Sequence, residues 1–345
     1  MLIWFDFDNT PHVPLYRPIL RELRARGVDT FVTSRLHAQT EDLLQMWGIP
    51  HHPVGTYGGK SQWKKIANLF QRAHALTRIA RRQPITLAVS HNSRTHMIAS
   101  KWLGLRYLGM DDYEYSEQRL ANLLADYLLL PVYISDERLV RAGFNLKKVI
   151  RYHGLKEEIY LRDFVPEKGF RRTLGVQEQT ILVTLRPPST TANYHDEKSE
   201  MLFRKCLQHF SSVPNTFCLI VNRTNAERHL VSQTLVDQGK AGWLPRAVDG
   251  LQLLWHSDLM LGGGGTMNRE AAQLGLPTYS IFSGRRPAVD EYLQSQGKLH
   301  FVNDEKEVES IPVRKREIQG SYHPSNVNLA SWITDLILDI HGRPS

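Results

Sequence analysis

The stretch Leu259-Met-Leu-Gly-Gly-Gly-Gly-Thr-Met-Asn-Arg-Glu-Ala-Ala-Gln-Leu-Gly-Leu-Pro277 decides the fold. Its apolar opening, Leu259–Leu261, reads as a buried strand that runs straight into four glycines. Asn268–Leu274 reads as a helix, closed by Gly275, and Thr278–Phe282 beyond Pro277 as the next strand. Glycines after a strand let the backbone approach a ligand closely and leave N–H groups to point at it. The helix that follows presents its positive end, which favours an anion. A tight turn needs fewer than four glycines, so phosphate binding is the expectation, with packing alone as the alternative. Gly263, Gly264 and Gly265 are the candidate backbone donors, and Thr266 is a candidate helix cap or phosphate ligand. Glu270, one turn in, stands where a carboxylate can accept two ribose hydroxyls. No lysine occupies the P-loop position, which argues against a Walker-type site.

Outward from this loop, short apolar runs alternate with helical patterns along the whole chain, the pattern of parallel sheets covered by helices. In the first half the expected strands are Leu2–Phe7, Thr30–Thr33, His52–Val54, Ile85–Val89, Tyr107–Gly109, Tyr127–Leu130 and Val149–Tyr152. Val13–Arg26 between the first two is an expected helix, with Leu15, Ile19, Leu20 and Leu23 on one face and Gly27 as its stop. Gln39–Trp47 and Arg94–Leu103 behave alike. The pattern restarts after residue 164: a connector with a first helix over Glu167–Gly175, strands Thr180–Leu185 and Phe217–Val221, and helices Ser199–Phe210, Ala226–Gln238 and Leu251–His256. The expectation is an α/β chain of two Rossmann-like domains, residues 1–164 and 165–325, with a ligand cleft between them. A last segment, 326–345, holds an amphipathic helix over Ser331–Ile340 that is expected to pack back on the N-terminal domain.

The 345 residues, 41% hydrophobic and 23% charged, suit two globular domains and not a disordered chain. Cys206 and Cys218 are the only cysteines, both inside expected core elements, so they read as reduced hydrophobes of a cytoplasmic protein. Met1–Phe7 is interrupted by Asp6, and no apolar run reaches the ~18 residues of a membrane span. The net charge of +8 fits a nucleic acid, an anionic donor or an anionic membrane surface, and does not choose among them.

The glycine stretch resembles the donor-nucleotide motif of GT-B glycosyltransferases and of UDP-N-acetylglucosamine 2-epimerases, small-Gly-Gly-x-x-x-Glu-Ala followed by Gly-x-Pro. That resemblance implies that Gly264, Gly265 and Thr266 meet a diphosphate and Glu270 a ribose. It also implies that Ser283–Asp290 is a loop over the donor, with Arg285 or Arg286 near phosphate and Asp290 near sugar hydroxyls. More widely, the chain resembles an uncharacterised archaeal and bacterial GT-B family of glycosyltransferase-like proteins. The pieces that carry this are Ile3-Trp-Phe-Asp with Asn9-Thr-Pro-His-Val, Tyr57-Gly-Gly-Lys, Ser90-His-Asn-Ser-Arg, Asp111-Asp-Tyr-Glu, Tyr152-His-Gly-Leu-Lys-Glu-Glu and Gly264-Gly-Thr-Met-Asn-Arg-Glu-Ala. The implied activity is transfer of a sugar from a nucleotide-diphosphate donor, UDP-sugar first, to a hydroxyl acceptor such as a growing cell-surface polysaccharide or a lipid-linked one. The nucleotide sugar is then a co-substrate, and no bound cofactor is required.

The first loop has two readings. Phe5-Asp-Phe-Asp-Asn-Thr spells DxDxT, the pattern of haloacid-dehalogenase-type phosphatases, with Asp6 as nucleophile and Asp8 as acid/base on Mg²⁺. That reading leaves the glycine loop without a task. Alternatively, Pro11-His-Val-Pro-Leu-Tyr-Arg-Pro is similar to the opening of the N-acetylglucosaminyltransferase that completes lipid II, although Asp8-Asn9-Thr10-Pro11 stands where that family has glycines. His12 then becomes the candidate base for the acceptor hydroxyl, oriented by Asp6 or Asp8. A capping or surface histidine is the plain alternative.

An epimerase needs a base and an acid on opposite sides of the sugar. The 2-epimerases use carboxylates after the fourth and fifth strands and a histidine early in the second domain. Ser90-His-Asn-Ser puts no acid in the first of these places, while Asp111, Asp112 or Glu114 fills the second. Thr184-Leu-Arg-Pro-Pro lacks the histidine, and Arg186 there suits bidentate pairing with phosphate. Transfer is therefore expected over epimerisation, with His91 as the group that would rescue the epimerase. A phosphatase and a non-catalytic binder of nucleotide sugars or nucleic acid are the readings from other classes.

Lys60–Arg82 is basic, free of acids and apolar at helical spacing through Trp63, Ile66, Leu69, Phe70, Ala73, Leu76 and Ile79. A helix of this kind packs its stripe on a sheet, the expectation here, or lies at the inner face of an anionic membrane. No RNA-recognition pattern accompanies it. The histidines and the two cysteines lack zinc spacing, so no metal site is expected; GT-B enzymes as a class act without bound metal.

Overall fold

A computed structural model of the chain describes residues 2–36, 40–56, 62–116, 118–188, 197–222, 225–246, 248–318 and 320–343, with side chains omitted at 62–65 and 225–226. The motif at Tyr57–Lys60 and the side chains of Trp63, Lys64 and Lys65 lie outside these residues. Contacts divide the chain into two units: Met1–Asp163 with Pro324–Ser345, and Phe164–His323.

In the first unit, seven strands form one parallel sheet: β1 Leu2–Phe7, β2 Asp29–Leu36, β3 His52–Thr56, β4 Ile85–His91, β5 Arg106–Met110, β6 Tyr127–Pro131 and β7 Val149–Tyr152. Their order is β3-β2-β1-β4-β5-β6-β7. Buried on both faces, β1 is apolar almost without alternation, with Ile3, Trp4, Phe5 and Phe7 all inaccessible. The helix His12–Ala25 covers one face through Val13, Leu15, Tyr16, Ile19 and Leu23. The final helix, Leu329–Gly342, belongs to this unit: it buries Leu329, Ala330, Ile333, Ile337 and Ile340, and Ser331 Oγ donates to Glu22 of the first helix at 2.9 Å.

The second unit repeats the plan with β8 Ile181–Arg186, β9 Thr216–Ile220, β10 Ala241–Trp243, β11 Leu259–Gly262, β12 Thr278–Ser280 and β13 His300–Phe301, in the order β10-β9-β8-β11-β12-β13. Both orders reverse direction once, at β1/β4 and at β8/β11, and in such sheets ligands bind outside the strand C-termini at that reversal.

Three local expectations change. The helix expected over Ala226–Gln238 is instead a 3-10 turn, Asn225–Leu230, followed by a short helix, Gln233–Asp237, because Ser232 is extended (φ −65°, ψ 128°) and breaks it. The helix after the glycines begins at Thr266, two residues early. The loop expected over Ser283–Asp290 gives way to a helix, Ala288–Ser295, with Pro287 fixing its boundary.

Candidate functional site

In the second unit, β11 and β8 meet at the reversal, and their register sets Gly262 opposite Arg186. The Gly263 N–H donates to the Arg186 carbonyl at 3.1 Å, so the glycines begin beside that arginine. Each glycine has its own reason. A Cβ at Gly262 would sit 2.1 Å from Asn268 Oδ1, and one at Gly263 would sit 2.6 Å from Pro188 Cα, so close packing excludes a side chain at both. Gly264 and Gly265 have φ of +94° and +91°, which L side chains rarely adopt. Around Gly265 nothing lies within 4 Å of an added Cβ, so its surface is open.

Gly265, not Thr266, is the cap of the helix Thr266–Gln273, and no side chain caps it. Thr266 is the first helical residue instead, because the positive φ that turns the chain falls on Gly265. The first amides of a helix have no intrahelical acceptor, and here no capping side chain serves them either. Asn268, which the sequence reading passed over, ties the turn by donating from Nδ2 to the Gly262 carbonyl at 3.3 Å. Its Oδ1 is buried without a hydrogen-bond partner. Glu270 is half-buried one turn in, and half-buried Arg186 donates from Nη1 to the Val221 carbonyl at 3.3 Å.

The segment expected over the donor behaves differently. Asp290 is 1% exposed and ion-paired through Oδ1 with Nε of the equally buried Arg269. That places it inside the unit, on a helix, and not on an open loop near hydroxyls. Arg285 is exposed; Arg286 lies over the Phe301 ring at 4.2 Å and donates to Asn303.

In the first unit the DxDxT stretch ends β1. Asp6 is fully buried, and Arg72 of the helix Gln62–Ala80 grips it, Nη2 to Oδ1 at 2.7 Å and Nη1 to Oδ2 at 2.9 Å. Thr33 and Ser93 hydroxyls donate to the two oxygens at 2.7 Å each. Burial alone would raise the Asp6 carboxyl, but Arg72, His96 and these hydrogen bonds outweigh it and hold it well below the usual carboxylate range. A phosphatase nucleophile must turn a free lone pair toward phosphorus. Asp6 has none to turn, so it is a structural clamp and the phosphatase reading fails. Arg72, expected on the basic outer face of its helix, is 4% exposed and spent on this clamp. On the same helix Ala73, Leu76 and Ala80 are buried, whereas Ile66 and Phe70 are about half exposed.

Asp8 lies 2.7 Å from Arg35 Nε and 3.4 Å from Arg72 Nη1. Burial raises its carboxyl more than these two guanidinium groups lower it. The Asp8 side chain does not orient His12; the Asp8 backbone N–H does, donating to His12 Nδ1 at 3.2 Å. A ring nitrogen that accepts from an amide carries no proton, so the His12 proton sits on Nε2. His12 opens the helix His12–Ala25, is 8% exposed, and is kept neutral at ordinary pH by burial first and by His91 and Lys156 after it.

The His12 and His91 rings are 5.1 Å apart. His91 closes β4, and Asn92 after it takes a left-handed φ of 53° that turns the chain sharply. The His91 Nε2 is 3.3 Å from Asp112 Oδ1, while Asp112 Oδ2 accepts from Lys156 Nζ. Lys156 also lies 3.6 Å from Glu157. Of the three acids expected after β5, Asp112 alone pairs with a histidine. Asp111 organises its own loop, accepting from the Asp112 and Tyr113 amides and from Asn92, Ser116 and Gln118. Glu114 pairs with Arg138 at 3.0 Å. Among the described residues no group of three or more His, Cys, Asp or Glu is arranged to hold a metal, and no helix is long and apolar enough to cross a membrane.

A family model described as "Protein of unknown function (DUF354)" matches residues 1–339, so the chain belongs to that family. The "Uncharacterized protein MJ0665" of Methanocaldococcus jannaschii is 23% identical over 313 residues, 89% of each chain. The solved structure of UDP-GlcNAc 2-epimerase from Neisseria meningitidis, bound to UDP-GlcNAc, is similar at TM-score 0.76 and 13% identity over 98% of this chain and 100% of that one. The corresponding M. jannaschii enzyme, in complex with UDP-GlcNAc and UDP, gives 0.72 and 13% with the same coverage. Anabaena Alr3699/HepE in complex with UDP-glucose gives 0.56 and 16% over 82% and 81%. At these identities the likeness shows the fold: a GT-B-like α/β chain of two Rossmann-like units.

Proposed function

We propose that this DUF354 protein is a glycosyltransferase that moves a sugar from a nucleotide-diphosphate donor, a UDP-sugar, to a hydroxyl acceptor. One observation carries the donor half. At the β8/β11 reversal, an uncapped helix start opens from Gly265, whose surface is free, with Arg186 one strand away. Gly264, Gly265 and Thr266 present amides to the diphosphate, whereas the Gly263 amide, expected among them, is spent on the Arg186 carbonyl; Arg186 adds a guanidinium, and Glu270 receives the ribose hydroxyls. Exposed Arg285, close by in sequence, is a further cation for the phosphates; Arg269 already neutralises Asp290, which therefore supports the site by packing.

The chemistry follows from these parts. The acceptor oxygen loses its proton and attacks the anomeric carbon, and the bond from that carbon to the diphosphate oxygen breaks with its electron pair leaving on the diphosphate. The helix start and Arg186 stabilise that growing charge without a metal. Transfer is favoured over epimerisation because Thr184-Leu-Arg-Pro-Pro offers arginine where an epimerase offers histidine, and because the first unit sets two imidazoles 5.1 Å apart at its strand ends. The UDP-sugars named with the similar structures agree with the choice of donor.

Calorimetry with UDP, UDP-GlcNAc and UDP-glucose, with and without EDTA, tests this. Binding of UDP that EDTA leaves unchanged is expected. Absence of binding to all three refutes the proposal, and conversion of UDP-GlcNAc to its 2-epimer or to free N-acetylmannosamine without an acceptor replaces transfer by epimerisation.

A further inference from the structure

We infer that His91, held by Asp112, accepts the proton of the attacking hydroxyl, and that His12 serves beside it as a hydrogen-bond donor. The inference rests on the transferase reading and reassigns the role that sequence alone gives to His12. The two rings are placed differently. In His12 the bare nitrogen, Nδ1, is turned inward onto the Asp8 amide, and the ring is left with an N–H to offer. To act as a base it would have to move its proton to Nδ1, where two N–H donors would face each other and a buried hydrogen bond would be lost. In His91, Nε2 lies 3.3 Å from Asp112 Oδ1 without a hydrogen bond between them, and Nδ1 has no partner among the described residues. The adjacent carboxylate favours the proton on Nε2, which leaves Nδ1 as the nitrogen available to a substrate.

Asp112 lies against the ring, and Lys156 holds the other Asp112 oxygen, so the carboxylate is kept beside the imidazole. Among the described residues the charged or titratable groups that face the ring are Asp112, Asp111 and His12, with Lys156 beyond Asp112, and burial keeps His12 neutral. Both rings stand at the strand C-termini of the β1/β4 reversal, where a Rossmann-like sheet receives its ligand. In the reaction, the hydroxyl proton passes to His91 Nδ1, the new C–O bond forms, and the diphosphate leaves with the electron pair. The imidazolium then returns its proton to solvent. Asp112 is the positioning residue for this step.

The test combines three readouts on the full chain. Imidazole ¹⁵N NMR of the unliganded protein at neutral pH reads which nitrogen of His91 is bare; Nδ1 is expected, and a bare Nε2 overturns the assignment whatever the activity. UDP calorimetry on native protein, His91→Gln, His12→Gln and Asp112→Asn is expected to give affinities within about threefold of one another. Release of UDP from a UDP-sugar, to acceptor or to water, is expected to fall by about 10²–10⁴-fold in His91→Gln, the range for a general base. The fall in His12→Gln is expected to be smaller. In Asp112→Asn the ¹⁵N spectrum is expected to lose the preference for a bare His91 Nδ1 while UDP affinity holds; a merely structural loss leaves that preference in place. Native-like turnover in His91→Gln, or a larger loss in His12→Gln, overturns the inference. Native protein that does not bind UDP brings down the transferase reading first, and the NMR result still reports the histidines separately.

Discussion

Replacing Asp6 by Asn separates a structural clamp from a catalytic nucleophile. The change keeps the shape of the side chain and removes its charge, leaving the Arg72 guanidinium, itself about 3% exposed, without a counter-ion. Two charged hydrogen bonds from Arg72 weaken together, and the amide can accept from Thr33 or Ser93 through only one of its two ends. Removing one partner of a buried pair costs about 3–5 kcal/mol. Against a net stability of about 5–15 kcal/mol, this is a large fraction. With a urea slope of about 2 kcal/mol per molar, the unfolding midpoint of the first unit falls by about 2 M. Trp4 is a built-in reporter, since its indole N–H donates to Thr33 Oγ1 at 3.0 Å and Thr33 in turn donates to Asp6. The pH dependence has a definite sign. The folded Asp6 pKa is depressed, so its contribution is fully present above the unfolded value of about 3.9 and is lost as pH falls through the folded one. The gap between native protein and variant is therefore flat from neutrality down to about pH 5 and narrows below about pH 4. Urea titrations followed by tryptophan fluorescence measure it. A variant as stable as the native protein, which has lost a Mg²⁺-dependent release of phosphate from a simple ester, would refute the clamp and restore the phosphatase.

Gly265→Ala should cost about 1–3 kcal/mol through its φ of +91° alone, with no clash, and should weaken UDP binding by calorimetry more than it lowers the melting temperature. Gly263→Ala meets the Pro188 backbone at 2.6 Å and should abolish UDP binding by displacing the loop; retained affinity would contradict the packing assigned to it. Glu270→Ala should weaken UDP by about 1–3 kcal/mol while leaving pyrophosphate affinity unchanged, and equal loss for both ligands would remove its ribose role. Ile337→Ala, at a fully buried position of the last helix, should lower stability by about 2–5 kcal/mol in urea titrations and leave UDP affinity intact.

What the sequence reveals of this molecule is what is local. The strand, glycines and helix at 259–273 announce themselves because an apolar run, special φ values and a helix start all fall within fifteen residues. Strands β10 and β13, of three and two residues, carry no periodicity to detect. Asp6 is the sharper case. Its motif is local, but the partner that fixes its role stands sixty-six residues away, on a helix whose basic residues all look outward until one is found inside. Separation in sequence likewise hides the His91–Asp112–Lys156 chain, which joins the ends of three separate strand–loop connections. Asp290 differs, since Pro287 followed by Asp290 and Glu291 is a readable helix start, and the resemblance to a donor loop obscured it.

The two units share one strand order and use its reversal for opposite purposes. In the second, the turn from β11 into its helix is built of glycines, so bare amides and Arg186 line it, which on the proposed reading stabilises an anion. In the first, the turn from β1 at the reversal is Asp8-Asn9-Thr10-Pro11, and the residue that opens the helix is His12. Arg35 and Arg72 are already committed to Asp8 and Asp6, and Asp112 adds another carboxylate beside the histidines. A diphosphate at that turn would meet carboxylates and a proline where it needs amides, whereas a neutral hydroxyl would meet one imidazole that gives a hydrogen bond and one that takes a proton. On the proposed reading the same fold is divided by its loop chemistry, with charge handled in the second unit and protons in the first. If pyrophosphate, which has no base or sugar, protects amides by hydrogen exchange at Gly264–Met267 and not at Asp8–Val13, that division holds; protection at Asp8–Val13 instead would reverse it.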